Sequence, residues 1–248
     1  MRLFSGLIDP ASAQPVTTVS EIQELRSGPH GALLGALLVP DQELMALDRA
    51  ASAELPVTVI NTGGAGGLVA VAGRHPQRLR IAGVDNVVRD PQDPVGNIAR
   101  IAAAARELDP EIVIRVAIPF RCTGYDDAVA EAESEELQGL LSATDPSADG
   151  DLAAQLSTFV EADLACAVAL DDPVRLVGLI IALDAIIDGA DPADARVLLA
   201  GNDAPAAAGE IAGWDDQRIG RVRRRLTAVR VPDPAALLDQ LTRWGILT

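Results

Sequence analysis

The most regular pattern of hydrophobic and polar positions lies between Val57 and Phe120. Short apolar runs alternate there with a Gly-rich turn and with the long Ala-rich segment Val95–Leu108. The apolar runs predict three β-strands, Val57–Asn61, Leu79–Val84 and Glu111–Ile118. Strands that alternate with helices are typical of βα units, which build a parallel sheet.

The alternation continues on both sides of this region, with further strands predicted at Met1–Leu7, Ala32–Val39, Leu137–Ala143, Leu164–Leu170 and Thr227–Val231. Between about residues 190 and 226 three short helices with little strand interrupt it. Length and alternation therefore predict an α/β fold, a (β/α)8 barrel resembling the TIM barrel. Residues 1–248 would form one domain with a helical insertion near 190–226. A doubly wound parallel sheet is the alternative, because two of the strands have weak patterns.

Arg80 and Arg115 interrupt two of the predicted strands. In each strand the bulky aliphatic side chains share one face, and the arginine lies on the other. The aliphatic face of a barrel strand meets the surrounding helices, so both arginines are predicted to point inward. Because an unpaired buried charge is very costly, each needs a partner. That partner is an acidic residue inside the barrel or an anionic ligand, and the sequence favours the first.

The charge of the chain argues against two classes of partner. The 248 residues carry a formal net charge of −16 at pH 7. Such a balance repels phosphate backbones and anionic lipid, so we expect neither nucleic-acid nor membrane binding. No apolar run reaches the roughly 18 residues of a membrane span, and the N-terminal residues lack the pattern of a signal peptide. We therefore expect a cytoplasmic protein.

All twenty basic residues are arginine, and the sequence contains no lysine. A Schiff-base aldolase, an enzyme that anchors pyridoxal phosphate on lysine and a Walker-type NTPase each need a lysine amine, so these three classes are excluded. Only two histidines are present, which excludes a three-histidine zinc site.

Asp-Pro pairs occur eight times in the chain. Aspartate followed by proline is a good helix start, because the carboxylate caps the first turn and proline lacks an N–H that would have no partner there. Asp172 is therefore predicted to cap the helix that begins near Val174. Asp171 has no such explanation and lies at the C-terminal end of a predicted strand, which makes it the better candidate for a functional carboxylate.

The candidate site follows from where barrels place their functional groups, at the C-terminal ends of the strands. Two carboxylates expected there, Asp85 and Asp171, are candidates for acid–base catalysis or for holding Mg²⁺. Arg121 would face an anionic group of the ligand. The neighbouring polar residues are candidates for ligand binding, namely Asn61, Thr62 and Asn86. No ligand set specific to one metal is present in the sequence, so the cofactor stays open beyond Mg²⁺.

The chain resembles a family of bacterial proteins that has no established activity. Three segments carry the resemblance, Leu164–Leu170, Val174–Asp188 and Trp244–Leu247. Members of that family have a lysine on the strand, a Gly-Leu-His-His-type motif before the helix and an Arg-Thr-Gly-Gly motif on the preceding strand. Here Cys166 stands at the lysine position, Asp171-Asp172 replaces the histidine pair, and residues 137–145 lack Arg-Thr-Gly-Gly. The resemblance implies a (β/α)-barrel, and the departures imply that any family chemistry is altered or lost.

Two functional hypotheses remain. The first is a catalytically degenerate barrel that acts as a scaffold or partner subunit, or forms a homo-oligomer, through its C-terminal helices and the arginine cluster of residues 218–225. The second is a small-molecule enzyme or binding protein for an anionic ligand, with its site at the C-terminal ends of the strands. The shortage of His, Lys, Tyr and reactive Cys favours the first, and the sequence leaves open whether the protein is an enzyme. The arginine cluster is explained most simply by pairing with the protein's own acidic residues.

Overall fold

The computed structural model describes residues 2–201 and 203–247. Eight strands within these ranges form one sheet: β1 (Ile8–Pro10), β2 (Leu37–Pro40), β3 (Leu55–Ile60), β4 (Leu79–Val87), β5 (Val113–Ala117), β6 (Gln138–Ser142), β7 (Cys166–Ala169) and β8 (Leu226–Val231). Their order in the sheet is β1-β8-β7-β6-β5-β4-β3-β2, and every pair is parallel.

Each strand is followed by a helix, and the helical segments after β1 to β7 return the chain to the end of the sheet where the next strand begins. The helices are α1 (Pro15–Ser27), α2 (Leu44–Ala50), α3 (Gly64–Ala72), α4 (Pro94–Ala105), α5 (Tyr125–Ser134), α6 (Asp149–Glu161), α7 (Pro173–Ile187), α8 (Pro192–Leu199), α9 (Ala204–Ala212), α10 (Asp216–Arg225) and α11 (Pro234–Arg243). Helices α8, α9 and α10 lie between α7 and β8, which confirms the predicted helical insertion. Short 3-10 helices occur at Arg2–Phe4, Gly31–Leu33 and Pro146–Ala148.

The two edge strands of the sheet meet and nearly close it into a barrel. Ile8 of β1 forms a parallel bridge with Leu34, just before β2. The amide of Gly35 donates to the carbonyl oxygen of Ile8 at 2.7 Å, and the amide of Ala36 donates to the carboxylate of Asp9 at 2.7 Å. This closure confirms the (β/α)8 barrel and decides against the doubly wound sheet.

Alternation along the strands directs aliphatic side chains outward against the helices, as the sequence predicts. Val57, Val59, Val84, Val116 and Val168 are fully buried there. Parallel strands covered by helices on their outer face need such side chains, since that face is shielded from water. The core is accordingly built almost entirely from Leu, Ile, Val and Ala.

The fourth strand differs from its prediction in length and in pattern. It continues to Val87, so Asp85 and Asn86 lie within the strand and not in the loop after it. Its register with β3 also shifts, because Val57 pairs with Ile81 whereas Thr58 pairs with Gly83, leaving Ala82 without a partner on β3. One extra residue reverses the direction of the side chains that follow. Gly83 and Asp85 therefore face the barrel interior.

The first predicted strand is wrong. Within 2–7, Arg2–Phe4 forms a 3-10 helix and Gly6 adopts a φ of 60°, which ends any extended run before Ile8. Met1 lies outside the described residues. The predicted strand Ala32–Val39 is correct only in its second half, because Gly31–Leu33 is a 3-10 helix.

None of the helices in the described ranges combines the length and the apolar character that crossing a membrane requires.

The packing of β6 against α6 depends on a glycine. A Cβ at Gly139 would lie 2.1 Å from a ring carbon of Phe159. We expect Gly139→Ala to lower the free energy of unfolding by about 1–3 kcal/mol, as overpacking of a core does. Gly209→Ala in α9, where a Cβ meets no atom within 4 Å, is the control and should raise stability by up to about 1 kcal/mol. Urea unfolding of both variants measures this, and a Gly139→Ala protein as stable as wild type would contradict the packing.

Candidate functional site

Four charged side chains share the barrel interior. They are Asp9 of β1, Asp85 of β4, Arg115 of β5 and Arg230 of β8, and none is more than 7% exposed. Asp9 stands beside Arg230, and Asp85 beside Arg115, in the strand register. Strands β4 and β8 lie on opposite sides of the barrel. The four residues therefore reach the same interior space from two walls.

Asp85 is the centre of this cluster. Its Oδ1 accepts a hydrogen bond from Nη2 of Arg230 at 2.6 Å and lies 3.8 Å from Nη1 of Arg115. The second distance is an ion pair but too long for a hydrogen bond. The predicted pairing of Arg115 with an acid inside the barrel is thus confirmed. Arg80, in contrast, is the second residue of β4 and is exposed.

Several polar atoms of the cluster are buried without a hydrogen-bond partner among the described residues. They are Oδ2 of Asp85, Nε of Arg230, and Nε and Nη1 of Arg115. Such atoms cost free energy unless something else bonds to them. The two arginines of the cluster can therefore donate further hydrogen bonds.

Asp9 has a different environment from Asp85. Its Oδ1 accepts from the amide of Ala36, and within the described ranges no arginine lies close enough to it for an ion pair. Burial raises the pKa of Asp9 to about 6, although Arg115 and Arg230 act to lower it. Burial also lowers the pKa of Arg115, against the effect of Asp85. Burial is therefore the dominant influence on the pKa of Asp9 and favours its protonated form.

Two glycines make room for these charges. A Cβ at Gly83 would lie 2.8 Å from Nη1 of Arg115, and a Cβ at Gly35 would lie 2.1 Å from Oδ1 of Asp9. Since real Cβ atoms do not approach so closely, a larger residue at either position would displace the charged side chain. These close approaches fix where the two side chains can lie.

A cavity of about 370 Å³ leads from the cluster to the N-terminal ends of the strands. Arg80, Val113 and Thr227 lie at or next to the first residues of β4, β5 and β8, which identifies this end. We call it the amino-terminal cavity. Its charged and polar lining residues are Asp9, Arg26, Thr58, Arg80, Arg115 and Thr227.

Arg26 brings a further cation to this cavity from the last turn of α1. Its Nε and Nη2 atoms are buried and have no hydrogen-bond partner in the part of the chain that the structure describes. Burial lowers the pKa of Arg26, Asp9 opposes that effect and Arg80 adds to it. Two arginines within electrostatic reach of each other thus line the same cavity.

Asn61 and Asn86, predicted to bind ligand, are buried and bond to each other at 2.6 Å. Asn61 also accepts from the amide of Gly63 and donates to the carbonyl of Gly64. In this structure the two amides hold the turn between β3 and α3. The hydroxyl of Thr62 donates to the carboxylate of Asp41 at 2.9 Å.

Asp171 and Arg121 lie on the surface. Asp171 is exposed, and its neighbour Asp172 caps α7 by accepting from the amide of Val174 at 2.8 Å, which confirms the predicted cap. Arg121 forms an ion pair with Asp151 and lies over the ring of Phe120. Among the described residues no hydrogen bond or ion pair joins Asp171 or Arg121 to Asp85.

The carboxyl-terminal end of the barrel interior is mainly apolar. The strand alternation directs these side chains inward there: Pro40, Ile60, Val87, Ala117, Ser142 and Ala169. Ile60 is 36% exposed and Val87 is 54% exposed. Within residues 2–201 and 203–247, no group of three or more His, Cys, Asp or Glu side chains is arranged to hold a metal ion.

Most arginines of the cluster of residues 218–225 bond to other groups of the same chain. Arg218 bonds to Asp184 and Glu210, each at 2.8 Å, and Arg221 bonds to Asp188. Arg225 forms an ion pair with Asp163, and Arg223 donates to backbone carbonyl groups. The predicted pairing with the protein's own acids is confirmed for three of the five arginines.

Three site residues were missed by sequence reasoning. Asp9 belongs to an Asp-Pro pair, and in five other such pairs the aspartate caps a helix. The Asp-Pro pattern therefore does not indicate that Asp9 lies inside the barrel. Arg26 reaches the cavity from a helix end, and Arg230 pairs with a residue 145 positions away. Outside the site, Arg175 forms a buried ion pair with Asp149 that ties α7 to the first residue of α6.

The geometry defines the class of protein: a (β/α)8 barrel with a buried ion cluster and a cationic cavity at the N-terminal ends of its strands. Comparison with protein-family models gives no match, and comparison with curated proteins gives none. Because barrels host many unrelated activities, the site itself has to indicate the function.

Removing the central carboxylate tests the cluster. Asp85→Asn leaves Arg230 and Arg115 buried with less counter-charge, so we expect the free energy of unfolding to fall by about 3–5 kcal/mol. Asp171→Asn, at an exposed position, is the matched control and should change it by less than about 0.5 kcal/mol. Adding Arg230→Gln to Asp85→Asn should recover part of the loss. Urea unfolding gives all three values, and an Asp85→Asn effect as small as the control's would contradict the cluster.

The raised pKa of Asp9 predicts a pH dependence of stability. Between the unfolded pKa of 3.8 and the folded value of about 6, the native state binds more protons than the unfolded state. The stability that this provides is fully present below pH 3.8 and is lost as the pH rises through 6. The stability of Asp9→Asn relative to wild type should therefore increase between pH 4 and pH 7, by a few kcal/mol. Denaturant unfolding at several pH values measures it, and a constant difference would show that Asp9 has an ordinary pKa.

Proposed function

We propose that this protein is a binding barrel that holds a small anionic ligand in its amino-terminal cavity. The observation that carries the proposal is the set of buried guanidinium N–H groups of Arg26 and Arg115 that lack partners within the described residues. A buried donor left without an acceptor costs about 1–3 kcal/mol, and more when charged. An anion in the cavity would supply the acceptors, through charge-assisted hydrogen bonds.

The charges around the cavity support the same ligand class. Arg26, Arg80 and Arg115 line it, and Asp9 is the one acid among its lining residues. Asp85 is already engaged by Arg230 at 2.6 Å and does not line the cavity. The wall is therefore cationic, although the whole chain carries a net charge of −16. An anion reaching this cavity would find a local field opposite to that of the rest of the surface.

The size and the remaining walls of the cavity limit the ligand. Its volume of about 370 Å³ is near the lower end of the range of roughly 300–1,000 Å³ found for small-molecule sites. Leu34, Pro56 and Val113 add apolar surface to the wall. We infer a small molecule with an anionic group and at most a modest apolar body.

This proposal keeps the anionic ligand expected from the sequence but moves its site to the opposite end of the barrel. The mainly apolar carboxyl-terminal end supports the idea that any chemistry of the conventional site is degenerate, with Asp85 and Asp171 in structural or surface roles. Two free cysteines, Cys122 and Cys166, fit the cytoplasmic location that forms part of the proposal. The resemblance to the bacterial family is likewise retained as a proposal.

A scaffold or partner-subunit role is the second candidate. The exposed side chains of Ile60 and Val87 at the carboxyl-terminal end favour it. The arginine cluster of residues 218–225 does not, because most of its charge is already neutralised by acids of the same chain. A role of this kind would be compatible with ligand binding at the other end.

Calorimetric titration with inorganic phosphate and with sulfate, at constant ionic strength, tests the binding function. Arg26→Gln and Arg80→Gln should each weaken binding at least about tenfold, the effect of one lost charge-assisted hydrogen bond or close charge. Arg100→Gln removes the same charge from an exposed position on α4 and should bind like wild type.

Two results would contradict the proposal. One is the absence of any saturable anion binding by the wild-type protein. The other is equal weakening by all three arginine substitutions, which would indicate attraction to the overall charge and not to this cavity.

A further inference from the structure

Asp9 is the acidic member of the amino-terminal cavity wall. Its Oδ1 is held by the amide of Ala36, and the close approach of Gly35 leaves this side chain little freedom to turn away. An anion that bonds to Arg26 and Arg115 in the same cavity would therefore meet the carboxyl group of Asp9. Two like charges in one small buried space cannot both stay ionised without a large cost, which a proton between them removes.

We propose that the anionic group of the ligand is a doubly charged tetrahedral oxyanion, as in phosphate and phosphate monoesters, and that Asp9 holds one proton between its carboxyl group and the bound oxyanion. This inference rests on the proposed function, because it names the ligand class and the regulation of that same cavity. The proton comes from solvent when the oxyanion arrives without one, and from the oxyanion itself when it arrives protonated.

The donors that lack partners match this shape. Nε and Nη2 of Arg26 form one fork of its guanidinium group, which suits two oxygens of one oxyanion. Nε and Nη1 of Arg115 approach from a different wall, on β5. A tetrahedral group with three or four oxygens can accept from both arginines and still present an oxygen to Asp9. A carboxylate has only two oxygens and fills fewer of these positions.

The charge count also favours a dianion. Three arginines and one aspartate line the cavity, Arg26, Arg80, Arg115 and Asp9. With the proton on Asp9 the wall carries three positive charges, of which a dianion neutralises two and a monoanion only one. The adjoining pair of Asp85 and Arg230 is neutral by itself.

The groups that act on Asp9 come from several elements. Arg115 and Arg230 favour its ionised form, Asp85 opposes it, and Arg26 and Arg223 lie within electrostatic reach. Burial outweighs the two arginines and raises the pKa of Asp9 to about 6 in the absence of ligand. A bound dianion adds a negative charge and raises this pKa further. Binding at pH 7 should therefore take up a proton, and affinity should fall as the pH rises.

Sulfate is the sharpest probe, because it carries no titrating proton near neutral pH and any proton taken up must reside on the protein. Calorimetry of sulfate binding at pH 7, in buffers with different ionisation enthalpies, should show uptake that approaches one proton per bound sulfate. The affinity should decrease between pH 6 and pH 8, by up to about tenfold per pH unit.

Asp9→Asn keeps a side-chain oxygen for the amide of Ala36 but cannot take up the proton. This variant should bind sulfate with no proton uptake and with an affinity independent of pH, and Arg26→Gln should still weaken that binding. Circular dichroism and a cooperative melt confirm that the variant is folded. Should it not fold, the proton uptake and the pH profile of the wild-type protein alone decide the question.

Further ligands separate the chemical class and its source. Acetate, a monoanion of similar size, should bind at least about tenfold more weakly than sulfate, as expected for one lost charge-assisted contact. Inorganic phosphate and glycerol phosphate, a small monoester, show whether the cavity accepts the free ion or an esterified group. Tighter binding of the monoester would show that the apolar wall of the cavity contacts the organic part of the ligand.

The outcomes distinguish this inference from the proposed function. If no anion binds, both fail together. If sulfate binds in an Arg26-dependent manner but without proton uptake, or if acetate binds as well as sulfate, the protein is still an anion-binding barrel, and the role of Asp9 and the dianion class are overturned.

Discussion

The interior of this barrel depends on one interaction, the contact of Asp85 with Arg230 across the space between β4 and β8. Each of these side chains, alone in a buried space, would carry a charge that the surroundings do not compensate. Together they allow Arg115 to remain inside as well, at 3.8 Å from the same carboxylate oxygen. Arg115, whose charge is left partly unused, then adds to the cationic character that Arg26 and Arg80 also give the amino-terminal cavity.

Asp9 links the architecture of the barrel to its cavity. At the junction of β1 and β2, where strand pairing is reduced to a single bridge, its carboxylate accepts the amide hydrogen of Ala36 in place of a backbone carbonyl. The same side chain lines the cavity. A change in the protonation of Asp9 therefore changes a hydrogen bond at the junction of β1 and β2. Ligand binding in the cavity and closure of the barrel both depend on this one carboxyl group.

The sequence predicts the barrel well because its signals are local: apolar alternation defines the strands, and inward arginines follow from it, as Arg115 shows. The candidate site was predicted less well. The sequence predicts a strand that ends at Val84, just before Asp85, whereas β4 continues to Val87 and the extra residue Ala82 turns Asp85 into the interior, which periodicity alone does not reveal. Asp9 shares its Asp-Pro pattern with helix caps, and Arg26 reaches the cavity only through packing between distant segments. Barrel sites ordinarily lie at the carboxyl-terminal ends of the strands, whereas the arginine donors that lack partners among the described residues line a cavity at the other end.

The order in which the strands are synthesised gives the Asp85–Arg230 contact a further consequence. A nascent chain that emerges from the ribosome contains Asp9, Asp85 and Arg115 long before Arg230, which follows Asp85 by 145 positions. Until β8 is made, Asp85 lacks the arginine that donates to it, and β1 lacks the strand with which it pairs. A stable half-barrel intermediate is disfavoured under these conditions. Folding of the complete barrel should therefore be a late, cooperative event in translation, because both the central contact and the pairing of β1 need the last strand.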